Sequence, residues 1–373
     1  MVVVNETKNN KKMRRKLKQA INSLEELLII IKEYFPKLTS WIDNLTDTRY
    51  QSYITYDFKV CLLTQILAFC SSYQSMNKIG KYFNSDIVIS NINHILKTNY
   101  IELPHKDSLI NVISKFEELE KIQTNIIRTL ISSKMFDKYK FNGCFHIVID
   151  RTVLHSTRVN LGEQVITKVY NRVQHNEYIL YSYYALEAKL VCGNMTFSLA
   201  TKFVENETYT DDKENSYRKF DKQDCKLKES YRLLNKIKKN FPKLPIIIGG
   251  DALYLGKPFL ELCDELNFDY IIRYKETDAP SIKRNFNEIK ISENNYEYQN
   301  KIIFGDLKDN KFYTLNVVSN DEDDIDDEPG ETITKNFSYV TSLKLTSKSK
   351  EEIVSLDRRR WKIENKGFKK QKI

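Results

Sequence analysis

The chain has 373 residues, with 59 Lys and Arg against 50 Asp and Glu, and a formal charge of +9. Hydrophobic residues make up 41% and aromatic residues 12%, enough for a sizeable core in two or three domains, which excludes disorder as a whole-chain description. The 10 Gly and 7 Pro are too few for a collagen-like chain, a Gly-rich phosphate loop or a turn-dense all-β fold.

A basic block comes first, carrying Lys8, Lys11, Lys12, Arg14, Arg15, Lys16 and Lys18. Residues 1–140 then predict a helical domain. LEELLIIIKEYF (24–35) has apolar spacing near the helical period, FKVCLLTQILAF (58–69) reads as a buried helix, and 108–131 as one long amphipathic helix. Between them, 75–97 has the outline of a helix-turn-helix with a break at Asn84–Ser85, although a plain bundle fits the same pattern.

The texture changes at Gly143. CFHIVID (144–150) predicts a buried strand ending in Asp150, and 176–204 predicts two or three strands with a turn at Cys192-Gly193-Asn194. A basic amphipathic helix follows over 225–241. LPIIIGGD (244–251) is a second buried strand ending in Asp251, followed by a helix at 257–266 and a strand at 268–274. Alternation in YEYQNKIIF (296–304) and KFYTLNVV (311–318) predicts a β-rich insertion over 276–334, closed by an acidic loop at 321–328. FSYVTSL (337–343) returns to apolar strand, and 349–372 predicts a final basic helix. The predicted class is α/β: a helical domain at 1–140, a core split between 141–275 and 335–373, and the insertion between its halves.

The six cysteines (Cys61, Cys70, Cys144, Cys192, Cys225 and Cys263) form no C-x-x-C pair and sit mostly in apolar runs. That usage predicts reduced thiols in the cytoplasm. MVVVNETKNN has no apolar signal core, and no run of about 18 apolar residues occurs, so neither a leader nor a membrane span is expected. His94, His105, His146, His155 and His175 show no metal-ligand spacing, and Thr152 and Ser156 suggest no nucleophilic triad. The basic block near the N-terminus and another from Arg358 to Lys372 are either solvated segments or contacts for a polyanion, nucleic acid being the simplest.

Three carboxylates carry the chemistry. A strand in an α/β sheet delivers its last residue to the ligand-binding end, so Asp150 and Asp251 have a route to one another, although each also suits an ordinary turn cap. On the last helix Asp357, Arg360, Glu364 and Gln371 recur at spacings that share one face. That face suits metal and phosphate together, or a solvated surface with an Arg360–Glu364 pair.

IVIDRT (147–152), IIIGGDALY (246–254) and YVTSLKL with RRRWKIENKGFKKQK (339–345, 358–372) resemble the DDE transposases of prokaryotic insertion sequences. The resemblance is to the group with a Tyr-x2-Arg-x3-Glu-x6-Lys signature, and it covers roughly 140–373. It implies an RNase H-like core interrupted by a β-rich insertion. Asp150, Asp251 and Glu364 would be the catalytic acids, holding two divalent cations, Mg²⁺ or Mn²⁺, for phosphoryl transfer. Arg358, Arg360, Lys370 and Lys372 would meet DNA phosphates, and Tyr254 would stack on DNA. The implied partner is double-stranded DNA, at the element's terminal inverted repeats and at the target. A homodimer would act on it near the nucleoid, with no membrane and no small-molecule substrate.

Two positions depart from the signature. Asp357 stands where it has Tyr, and Gln371 where it has Lys, with Lys370 and Lys372 on either side. Relatives also continue past this helix, which points to a truncated copy. The expected function is metal-dependent strand cleavage and transfer. The alternatives are an inactive DNA-binding remnant, or a helical interaction scaffold whose aspartates only cap turns.

Overall fold

A computed structural model describes residues 26–73, 75–114, 118–160, 162, 165–170, 177–204, 206–210, 216–223, 226–275, 279–306, 311–325 and 332–360. The basic block at Lys8–Lys18 lies outside these. The described residues form two compact units, one ending at Ser133 and the other beginning at Lys134.

The first unit is helical. Residues 26–34 are followed by α1 (Leu38–Asp43), α2 (Phe58–Cys70), α3 (Asp86–Leu96), α4 (Lys106–Ser114) and α5 (Leu119–Ser132). Helix α2 buries Val60, Cys61, Leu62, Leu63, Leu67 and Ala68, which lie all round its axis, so it runs through the core. Its buried Gln65 donates to the Leu109 carbonyl at 3.0 Å, tying it to α4. The single helix expected over 108–131 is two, α4 and α5, with 115–117 between them outside the described residues. The helix-turn-helix outline becomes a short helix (Met76–Lys78), a π turn (Ile79–Phe83) and then α3.

The second unit is organised by a ten-stranded sheet. Its strands are β1 (Phe145–Thr157), β2 (Ile166–Tyr170), β3 (Tyr178–Cys192), β4 (Met195–Val204), β7 (Ile246–Gly250), β8 (Asp269–Tyr274), β9 (Ile291–Glu293), β10 (Tyr296–Asp306), β11 (Lys311–Ile325) and β12 (Thr332–Thr341). A separate hairpin, β5 (Asn206–Thr210) with β6 (Ser216–Gln223), follows β4 and was not anticipated from the sequence. Helices α6 (Lys226–Asn240), α7 (Lys257–Glu265), α8 (Pro280–Glu288) and α9 (Ser349–Arg358) complete the unit. The sheet order is β2-β3-β1-β7-β8-β12-β11-β10-β9, with β4 also paired to β3.

The centre of the sheet is parallel. β1 pairs with β7 and β7 with β8 in parallel, whereas β1 and β3 run antiparallel. Ile147, Val148, Ile149, Ile247, Ile248, Ile271 and Ile272 are fully buried, as expected of central strands covered on both faces. Gly193 has φ +59° in the turn from β3 to β4, a backbone state that glycine adopts without strain.

The stretch read as a β-rich insertion continues this sheet. β12 pairs antiparallel with β8 on one side and with β11 on the other, so the expected boundary at 334/335 falls within a single strand. An open β8 would present unpaired backbone groups, and β12 covers that edge. The acidic run is likewise not simply a loop. Asp321 to Ile325 extend β11 in register with Asn336 to Thr332, and 326–331 lie outside the described residues. With Ile248 buried in the central strand, Ile248→Ala is expected to cost about 2–5 kcal/mol in urea unfolding of the full chain.

Candidate functional site

The sheet parts beside Asp150. β1 continues to Thr157, so Asp150 lies within the strand rather than at its end, but the parallel pairing with β7 stops at Val148↔Gly249. Asp150 therefore stands just past the end of the paired region. Asp251 follows β7 directly and opens the 3₁₀ turn Ala252–Tyr254. The two carboxylates emerge together at the same end of two parallel strands, where α/β sheets place their ligands.

A lysine joins them. Lys226, the first residue of α6, places Nζ 2.9 Å from Asp150 Oδ1 and 2.6 Å from Asp251 Oδ2. Its side chain is 9% exposed, against 24% and 31% for the two aspartates. The ammonium also lies 5.1 Å from the centre of the Tyr254 ring. Asp251 meets both expectations at once: Oδ2 pairs with Lys226, while Oδ1 accepts from the Leu253 amide at 3.1 Å and caps the turn. Asp150 Oδ1 also accepts from the Arg151 amide at 2.8 Å. Glu187, the register partner of Asp150 on β3, pairs with Lys189 at 2.6 Å.

Behind the carboxylates, the glycine pair of IIIGGD makes room for buried polar groups. A Cβ at Gly249 would lie 2.6 Å from His146 Nε2 and 2.8 Å from Asp357 Oδ1. One at Gly250 would lie 2.6 Å from Tyr254 Cδ2. Both His146 nitrogens, Asp357 Oδ1 and the Tyr254 hydroxyl lack a hydrogen-bond partner among the described residues. Burial, reinforced by the Arg359 charge, pulls the His146 imidazole down to about 3, so the ring is neutral. Burial pushes the Asp357 carboxyl up to about 7; Arg360 and Arg273 oppose this, and Asp251 adds to it.

Arginines line the open side. A cleft of about 500 Å³ runs past Asp150, Arg273, Asp357, Arg358, Arg359 and Arg360. Helix α9 and the two residues after it bring the last four of these to the cleft, the helix burying Ile353, Val354 and Leu356 against Ile271, Val318 and Tyr339. Four guanidinium groups beside an acidic pair suit a phosphate chain approaching the carboxylates.

The structure thus brings Asp150 and Asp251 together, with Arg358 and Arg360 nearby. Glu364, Lys370 and Lys372 lie outside the described residues. Tyr254 does not meet the expectation of a ring free to stack on DNA. It is 0% exposed and packs on Phe259 with ring centres 4.9 Å apart, because the turn after Asp251 folds it inward over Gly250. Sequence reasoning missed Lys226. Its only signal was the basic opening of the 225–241 helix, one lysine among many. His146 was set aside for lack of spacing. Asp357 was placed on the face shared with Arg360 and Glu364 and noted as a departure from the signature, with no sign that it would be buried.

The acidic pair fits a divalent cation in kind. Carboxylate oxygens are the hard donors that Mg²⁺ and Mn²⁺ prefer, and a cationic ammonium already bridges one oxygen of each aspartate. Among the described residues, no three His, Cys, Asp or Glu side chains gather closely enough to hold a metal.

Residues 211–369 match the family model of the transposase DDE domain. The match takes in Asp251, Asp357 and Glu364 and begins downstream of Asp150. Among solved structures, the chain is similar to piggyBac transposase in its cryo-EM synaptic complex with hairpin DNA, at 12% identity and a TM-score of 0.39. That similarity covers 92% of this chain and 66% of the other. No curated protein matches the chain.

The buried Asp357 makes stability depend on pH. Its folded carboxyl titrates near 7 and an unfolded one near 3.9, so between these values only the folded chain holds the proton. Its contribution to stability therefore falls as pH rises from about 4 to about 7 and is level above. Asp357→Asn removes that loss. The variant's stability relative to wild type is expected to rise across the same window, reaching roughly 1–3 kcal/mol in its favour by pH 8 in denaturant titrations. His146 acts oppositely and in both proteins, costing stability as pH falls below about 6.5.

Proposed function

We propose that the chain is a DDE-type transposase of the prokaryotic insertion-sequence kind, cleaving and joining DNA strands at element ends. One observation carries this reading: Asp150 and Asp251, distant in sequence, converge on a single cation at the end of a parallel strand pair. The transposase DDE domain match over 211–369 supports it independently. An RNase H-like core is supported by placement. Leaving aside the short β2 and the β5–β6 hairpin, Asp150 lies on the first core strand and Asp251 follows the fourth, after β1, β3, β4 and β7.

In this reading Asp150, Asp251 and Glu364 hold two divalent cations. Divalent cations held there would supply charge neutralisation at the phosphate and a lowered pKa for an attacking water or 3′-hydroxyl. The chain's own residues do the rest. Arg273, Arg358, Arg359 and Arg360 draw the DNA backbone along the cleft and set its register, and Lys370 and Lys372 are read as further phosphate contacts. Neutral His146 and Asp357, whose carboxyl burial pushes toward the protonated form, make the buried wall behind the acidic pair. The partners are terminal-repeat and target DNA, with a homodimer pairing two ends in the cytoplasm at the nucleoid, and the helical first unit adds a further DNA contact.

The test is nicking of a duplex carrying the element's terminal repeat in Mg²⁺ or Mn²⁺. Asp150→Ala, Asp251→Ala and Glu364→Gln are each expected to reduce cleavage by more than the roughly 10–100-fold typical of losing a residue that only orients a metal's ligands, while leaving DNA binding in place. DNA binding without cleavage in any divalent metal would instead make the chain a DNA-binding remnant. Arg359→Ala and Arg360→Ala are each expected to lower the slope of log affinity against log salt by about 1 in binding titrations.

A further inference from the structure

The three charges at the sheet end do not balance. One ammonium between two carboxylates leaves one negative charge uncompensated among these three groups. Asp150 Oδ1 and Asp251 Oδ2 both accept from the Lys226 ammonium, which therefore fills the space between them. A cation bridging those oxygens and the lysine ammonium exclude one another.

Lys226 is not a surface lysine that happens to lie nearby. It is buried, it opens α6, and its ammonium has two charge-assisted bonds and the face of Tyr254 in place of water. The helix is held by Leu233, Leu234 and Ile237, all fully buried, so the anchor of this side chain is rigid.

We propose that Lys226 is a built-in counter-ion that holds Asp150 and Asp251 together before metal arrives, and that a divalent cation must displace it to bind. This rests on the reading of the aspartates as metal ligands. Lys226 then sets the site's metal affinity: the cation is worth more than the ammonium electrostatically, but it must first break two charge-assisted hydrogen bonds. The displaced ammonium remains within a side chain's reach of the cleft, where a DNA phosphate is its natural new partner.

Metal binding measures this directly, without turnover. Mn²⁺ is titrated calorimetrically into the full chain as wild type, Lys226→Met, Lys226→Arg and Asp150→Asn. Lys226→Met is expected to bind Mn²⁺ about tenfold or more tightly than wild type, Lys226→Arg no more tightly, and Asp150→Asn to lose binding. In EDTA the Met variant is expected to melt below wild type, since two carboxylates then face each other unpaired, and Mn²⁺ is expected to raise its Tm by more. Should Lys226→Met fail to fold, Lys226→Gln, which keeps a donor without the charge, is expected to bind several-fold tighter than wild type. Equal or weaker binding by the Met or Gln variant, with Asp150→Asn still losing it, overturns the counter-ion role and leaves the metal site standing. Mn²⁺ binding that is absent, or unchanged in Asp150→Asn, overturns the metal site and this proposal with it.

Discussion

Two carboxylates placed side by side at the mouth of a folded sheet repel one another unless a positive charge stands between them. Here that charge is the Lys226 ammonium, bonded at once to Asp150 and to Asp251. Much of the second unit's geometry serves this meeting. β1 and β7 run parallel, so both aspartates leave the sheet at the same end. Pairing stops at Gly249, so Asp150 is released toward solvent while the residues before it remain buried. α6 begins at Lys226 itself, so its packed apolar face fixes where the ammonium lies.

The wall behind the site follows from two missing side chains. Gly249 and Gly250 let His146, Asp357 and Tyr254 press against the strand, where any larger residue would drive them out. The cost is a set of buried polar atoms without hydrogen-bond partners among the described residues. Burial without partners favours uncharged forms, which is why the imidazole and the carboxyl shift in opposite directions from their usual values. The back of the site is thus held close to neutral. Net charge is concentrated at the front, in the aspartates and in the arginines that α9 carries into the cleft.

Part of this was legible locally. Runs such as FHIVID and IIIGGD announce buried strands by composition, and the first does pass through Asp150 while the second stops one residue before Asp251. The Cys192-Gly193-Asn194 turn and the helix at 225–241 follow from turn chemistry and the helical period. What failed were statements needing knowledge of a neighbour. The polar stretch after Lys275 alternates like antiparallel strands, but nothing in it shows that β12 joins those strands to β8 in one sheet. Tyr254 looked available because nothing in its own sequence window shows that the turn folds it inward.

The sequence by itself determined most of the elements, the two buried strands that lead to Asp150 and Asp251, and the helix that leads into Arg358–Arg360. These depend on side-chain period and on turn residues that act within a few positions of themselves. Only the tertiary structure decided that Lys226, one of many lysines, would be the residue between the aspartates, and that Asp357 would lie buried against a glycine. Charge pairing and exclusion of water depend on distances through space. Those distances exist only once strands far apart in the chain have closed on one another.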